Sequence, residues 1–235
     1  MSDDAMAEVI DDEKRLCGLV VDFDNTFVDG IPVFERTIAK VFEENGLDYN
    51  KGIFVRKILG GRIQHLVSSL SKAETEARPE EVVDEFFSKL DRALDKAEVN
   101  PVVLEVCAKT LAEGGRVVFV TFHPVEVVKR IISEHGLEDA LVFKAERNDR
   151  FTDFPRDTWA KASRMIKLNP RSSTAFVATS KGTKNTVYTG MHTVAFPSDL
   201  TSFQDFSGSD FIVEPGSKAD GLGDKILDLM SMRLD

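Results

Sequence analysis

Six short apolar runs, Leu16–Val21, Val117–Val120, Leu141–Phe143, Ala175–Val177, Val194–Phe196 and Phe211–Val213, recur along the chain between segments of helical periodicity. Runs that are apolar throughout suit strands buried on both faces, and their alternation with helices calls for βαβ units and a parallel sheet. After Val117–Val120, Pro124 suits a first helical turn, Val127, Val128, Ile131 and Ile132 form one stripe, and Gly136 ends it. Gly114 and Gly115 close a helix carrying Val103, Cys107 and Leu111, and a last helix over about Asp224–Arg233 carries Ile226, Leu227 and Met230. One interval breaks the rhythm. From about Ile31 to Asn100 the chain reads as helix after helix, with Val83, Phe86, Phe87, Leu90 and Leu94 on one stripe. Asn100-Pro101 marks the return, because a residue before proline leaves the helix. The fold expected is a doubly wound, Rossmann-like parallel α/β core over residues 15–29 and 100–235. An α-helical cap over residues 30–99 interrupts it, and an acidic tail of residues 1–14 precedes it.

A chain of 235 residues is long enough for one such core with a smaller insert. With 42% hydrophobic and 30% charged residues it has the composition of a soluble globular protein. Its formal net charge of −10 argues against a non-specific grip on nucleic acid or on an anionic membrane. A small anionic substrate stays open, since a local site can oppose the global field. The two cysteines, Cys17 and Cys107, have no second Cys or His at ligand spacing, so neither a disulfide framework nor a zinc site is expected. Cys17 reads as a small core residue. No run approaches the roughly 18 apolar residues of a membrane span. The opening MSDDAMAEVIDDEKR is acidic where a secretory signal would be basic, so a cytoplasmic protein with a frayed tail is expected.

The first apolar run ends in VVDFDNTFVDG, Val20–Gly30. Asp22 and Asp24 stand at the carboxyl end of a buried strand, where open α/β sheets bind ligands. Period-two alternation would point both the same way if the strand continued. Two close carboxylates repel, so a cation, a proton or phosphoryl chemistry is the natural reason to keep them. The plainer alternative is an acidic helix start.

With this motif the chain resembles the haloacid dehalogenase superfamily, in its helical-cap form typified by phosphoglycolate phosphatase and β-phosphoglucomutase. The likeness runs from about Leu16 to the C-terminus. Asp22 matches the family's nucleophile and Asp24 its general acid/base, and VVFVTFHP supplies Thr121 at the second motif. The framing elements GGRVVFVT and GMHTVAF (Gly190–Phe196) match as well. The resemblance implies phosphoryl transfer through an aspartyl-phosphate on Asp22, from a small phosphorylated metabolite. Thr121 and the amides after Asp22 would hold the phosphoryl oxygens. Mg²⁺ would lie between Asp22, the carbonyl of Asp24 and the substrate. Retention of Asp24 favours phosphatase or phosphomutase chemistry over dehalogenation.

Two motifs depart from the pattern. Aligning on FPRDTWAKAS puts Asp153 where the third-motif lysine belongs, and aligning on GMHTVAF and Gly182 puts Ala178 and Thr179 where the fourth-motif acid belongs. A carboxylate in place of the lysine reverses the local field unless another cation reaches in. Lys144, Lys161 and Lys181 are the candidates, Lys181 first because it follows the fourth-motif strand. Without the fourth-motif acid a weak Mg²⁺ site is expected, completed by water and substrate phosphate. The expectation is therefore a slow Mg²⁺-dependent phosphohydrolase. The alternative is a catalytically impaired relative that acts as a binding or assembly subunit with a protein partner.

Thr26, Lys181 and Arg62 are the substrate-binding candidates, Arg62 as a bidentate anion partner from the cap. His65 on the same stretch reads as either a substrate contact or a surface residue. His123 reads as a positive charge near Thr121 or as part of a helix start beside Pro124. His135 before Gly136 suits a helix C-terminus, and Trp159 suits packing.

Overall fold

The computed structural model describes residues 18–55, 78–94, 96–146, 153–217 and 221–231. Each of the six apolar runs becomes a strand: β1 Gly18–Asp22, β2 Arg116–Thr121, β3 Leu141–Lys144, β4 Ser173–Val177, β5 His192–Ala195 and β6 Phe211–Ile212. They form one parallel sheet in the order β3-β2-β1-β4-β5-β6. The chain thus winds outward from β1 in one direction and then returns to its other side. That reversal opens a crevice at the carboxyl ends of β1 and β4.

Period two divides the sheet's side chains between two layers. Leu19, Val21, Val117 and Phe119 enter one buried cluster with Val103, Cys107, Val128, Ile131, Ile226 and Met230. These last six come from helices α3 (Pro101–Ala112), α4 (Val125–Glu134) and α7 (Leu222–Ser231). Val20, Val118, Val120, Ala175 and Val177 face the opposite layer with Phe154, Trp159 and Ala162. Helix α5 (Arg156–Met165) covers that face, with α6 (Ser180–Tyr188) beside it. Trp159 is a packing residue, fully buried and edge-on to Phe154. Burial pushes the free Cys107 thiol far up, as befits an inert core residue. Cys17 lies outside the described residues.

Helices α1 (Gly30–Glu44) and α2 (Pro79–Leu94) form the inserted cap with their own apolar cluster, including Phe34, Ile38, Phe42, Phe54, Phe86 and Leu90. Of the predicted stripe of α2, Val83, Phe86, Phe87 and Leu90 join that cluster while Leu94 packs into the sheet's, and Lys89 ties α2 to Glu44 of α1. The two passes between cap and sheet run together. Val28 and Val99 form an antiparallel bridge, and Asn100 N–H donates to the Phe27 carbonyl at 2.8 Å. Asn100 then caps α3, accepting from the Val102 and Val103 amides, with Pro101 in the first turn where no N–H is needed. Among the described residues no helix is long and apolar enough to cross a membrane.

Candidate active site

β1 stops at Asp22, and Phe23–Phe27 then coil into a single wide π-helical turn. This corrects the period-two expectation, because Asp24 is carried by a turn instead of a continuing strand. The turn folds back on Asp22. The Asn25 N–H donates to Asp22 Oδ1 at 2.9 Å, and the Asn25 side-chain amide reaches both carboxylate oxygens at 3.3 and 3.1 Å. Asp22 is buried, and burial pushes its carboxyl well above the ordinary value of 3.8. Asp24 pushes further in the same direction, Asn25 opposes through its two bonds, and Asp153 adds a smaller upward push.

Asp24 is held from β2. Thr121, at the end of that strand, donates its hydroxyl to Asp24 Oδ1 at 2.5 Å, and the Phe122 N–H donates to Oδ2 at 2.9 Å. The Thr121 oxygen accepts in turn from the His123 N–H at 2.9 Å. Each of these groups is buried. Behind Asp24 the chain comes close to itself: a Cβ on Gly30 would meet the Asp24 carbonyl oxygen at 1.7 Å. Glycine is required there by contact alone.

The β4 side carries the two departures from the family motifs, and they meet. Thr179 donates its hydroxyl to Asp153 Oδ1 at 2.6 Å and accepts from the Gly182 N–H at 3.0 Å, so it caps α6. Both residues are buried. Lys181 sits half-buried in the first turn of α6, two residues beyond this pair. Lys161 is bound to Asp157 at 2.6 Å on an exposed helix face, and Lys144 ends the edge strand β3, also exposed. Neither supplies the site with a cation.

The structure thus brings Asp22, Asp24, Thr121, Asp153 and Thr179 to one end of the sheet. Thr26 is buried in the turn, and its hydroxyl has no partner among the described residues. It lines a cavity of about 320 Å³ beside the hinge, bordered by Asp29, Glu98, Asn100 and Asp199, whose lining does not include Asp22 or Asp24. Arg62 and His65 lie outside the described residues. His135 is the C-cap residue of α4, as its place before Gly136 implied.

Two features escaped the sequence reading. Asn25, within the DFDNT stretch, clamps Asp22 with side chain and backbone. Asp91 on α2 accepts from His123 Nδ1 at 2.5 Å, joining cap to core. Its only signal was position: a carboxylate flanking Leu90 on the apolar stripe.

Asp22 and Asp24 offer oxygen donors of the kind Mg²⁺ takes. Among the described residues no three acidic, imidazole or thiolate groups converge on one metal position. The residues therefore fit a cation that needs few protein ligands and completes its shell with water and phosphate oxygens, as Mg²⁺ does. The upward push on Asp22 is the imbalance that such a cation would relieve.

No family model matches the chain. No curated protein matches it either. Solved structures do. CbbY from Rhodobacter sphaeroides, in complex with phosphate, superposes with a TM-score of 0.66 at 16% identity over 85% of this chain and 94% of that one. β-Phosphoglucomutase from Clostridium difficile gives 0.67 at 10% identity over 94% and 99%. A HAD family hydrolase from Deinococcus radiodurans, with bound phosphate and sodium, gives 0.66 at 12% identity over 92% and 97%. Sheet order, the inserted helices and these superpositions agree: the chain has the fold of the haloacid dehalogenase-like hydrolases with a helical cap.

Proposed function

We propose that the protein is a phosphohydrolase that removes phosphate from a small phosphorylated metabolite through an aspartyl-phosphate on Asp22. The observation that carries this reading is the pair of buried carboxylates at the sheet's switch point, with Thr121 bonded to Asp24 at 2.5 Å. An Asp22 oxygen would attack phosphorus as the bond to the ester oxygen breaks, and Asp24 would give that oxygen its proton. Asp24 would then take a proton from the water that cleaves the acyl phosphate, which restores both carboxylates. Thr121 and the amides that follow Asp22 would bear on the phosphoryl oxygens as their charge shifts. Mg²⁺, held by Asp22 and Asp24, would offset the charge gathered between carboxylate and phosphoryl group. The cap over residues 30–99 would close over a small substrate and exclude water during the first step. The phosphate bound in the Rhodobacter and Deinococcus structures of this fold supports a phosphorylated ligand.

A second reading has its own observation. The buried Thr179–Asp153 pair stands where the resemblance asks for an acid and a lysine, so the chain is also read as a relative that has lost turnover and binds a partner.

Phosphate release from a panel of small phosphate esters, with and without Mg²⁺, separates the two. Metal-dependent release is expected, falling at least ~10³-fold in Asp22→Asn. Folded wild-type protein that releases no more phosphate than the variant sinks the phosphohydrolase and leaves the binding subunit.

A further inference from the structure

His123 stands between the cap and the acid that the proposed reaction uses. Its ring is buried, on the loop that leaves β2. On one side Nδ1 lies 2.5 Å from Asp91 Oδ1 of α2; on the other, Nε2 lies 3.9 Å from Asp24 Oδ1. A carboxylate only accepts, so the Asp91 contact places a proton on Nδ1 and turns Nε2 toward Asp24. The backbone of the same residue is engaged too, because the His123 N–H donates to the Thr121 oxygen that holds Asp24. One residue therefore approaches Asp24 by two routes, its ring nitrogen standing 3.9 Å away and its backbone N–H bonding the threonine oxygen that holds the acid.

The other end of the cap meets Asp24 as well. α1 begins at Gly30, whose α-carbon packs against the Asp24 carbonyl so closely that a methyl group there would lie 1.7 Å from the oxygen. Between these contacts the two hinge passes are pinned by the Val28–Val99 bridge and by the Asp29 N–H donating to the Glu98 carbonyl at 3.1 Å. Entry and exit of the cap thus both meet the core around Asp24, Gly30 directly and Asp91 through His123, although Asp91 and Asp24 are 67 positions apart in the chain.

We propose that His123 is a positioning residue through which the docked cap sets the geometry of Asp24. Asp91 orients the ring and with it the His123 backbone, whose N–H holds the Thr121 oxygen that in turn holds Asp24, so the acid is aligned while α2 is seated. The proposal rests on the reading of Asp24 as general acid/base. It makes cap closure and completion of the acid one event, so that an open cap would leave Asp24 poorly aligned for proton transfer.

The test uses the full chain, p-nitrophenyl phosphate with Mg²⁺ as probe, and the variants Asp91→Asn, His123→Gln and their combination. Asp91 is half-buried, so Asp91→Asn keeps the packing of α2. Each single variant should lower kcat on the order of tenfold or more and leave KM within about twofold. The double variant should fall no further than the worse single, as members of one linkage do. Amide hydrogen exchange over residues 79–94 should accelerate in all three variants. Multiplying effects in the double variant, or faster exchange with unchanged kcat, would overturn the coupling and leave a merely structural tie. Wild-type protein inert toward every ester fails the function reading first. Exchange over 79–94 that ignores all three variants overturns the cap tie by itself.

Discussion

On each side of the cleft a threonine at the end of a strand donates to a buried aspartate. Thr121 reaches Asp24 at 2.5 Å, and Thr179 reaches Asp153 at 2.6 Å. Each hydroxyl also accepts one backbone N–H, from His123 at 2.9 Å and from Gly182 at 3.0 Å. The surroundings then part them. Asp24 gains a second donor in the Phe122 amide and faces a ring held by the cap, whereas Thr179 spends its acceptor on capping α6. The same local chemistry therefore holds the carboxylate of the proposed acid from two donors on the β2 side and stabilises a helix start on the β4 side. The identity of a pair does not decide its duty; the elements it joins do.

The most direct way to break this comparison is to remove both hydroxyls in turn. Thr121→Val should lower phosphate release on the order of 100-fold, since it strips Asp24 of an aligned donor. Thr179→Val should keep release within about threefold. Equal losses, measured under the same saturating ester and Mg²⁺, would erase the distinction between the two sides.

Stability should rank the pairs the other way. Thr179→Ala deletes a helix cap and leaves the buried Asp153 short of a donor, which should cost about 1–2 kcal/mol in urea unfolding. A loss below ~0.5 kcal/mol would mean that the β4 pair holds little.

Charge sharpens the contrast further. Because burial and Asp24 raise the Asp22 carboxyl above 3.8, the folded chain holds a proton that the unfolded chain has already released. Stability from this group is present in full below pH ~4 and is lost as pH rises through the raised value. Asp22→Asn cannot ionise there. Its melting temperature should exceed that of the wild type at pH 7, by roughly 2–4 °C for each kcal/mol relieved, and the two should converge below pH ~4. A constant offset across pH would show that Asp22 does not carry the cost.

Asp153 contributes the least of the upward pushes on Asp22. Asp153→Asn should therefore shift the pH at which the wild type loses stability upon titrating Asp22 only slightly, and downward. A shift as large as that of Asp24→Asn in the same melts would make the β4 carboxylate an equal partner in the site.

Much of the fold was legible in the residues. Strands buried on both faces need apolar side chains on both, so β1, β2 and β4 announce themselves as unbroken runs, and Asp22 and Thr121 stand where those runs end. The helical insertion showed itself because α2 must bury one stripe against α1, which spaces Val83, Phe86 and Leu90 by helical turns. Asp153 and Thr179 could be placed on the family's pattern by alignment. That they would bond to each other could not, because the contact depends on where Asp153, just ahead of α5, is set against Thr179 just beyond β4.

Local sequence thus determined the order of strands and helices, the inserted cap and the acids at the end of β1, because burial and periodicity are written in residues a few positions apart. Tertiary structure alone decided that the strand would give way to a π-helical turn at Phe23 and that Thr121 would hold Asp24 from 97 positions away. It also decided that Asp91 would meet His123 across 32 positions, and that Gly30 would press on the Asp24 carbonyl. Such contacts are set by strand register and by the seating of one element on another, and no short-range pattern of side chains encodes either.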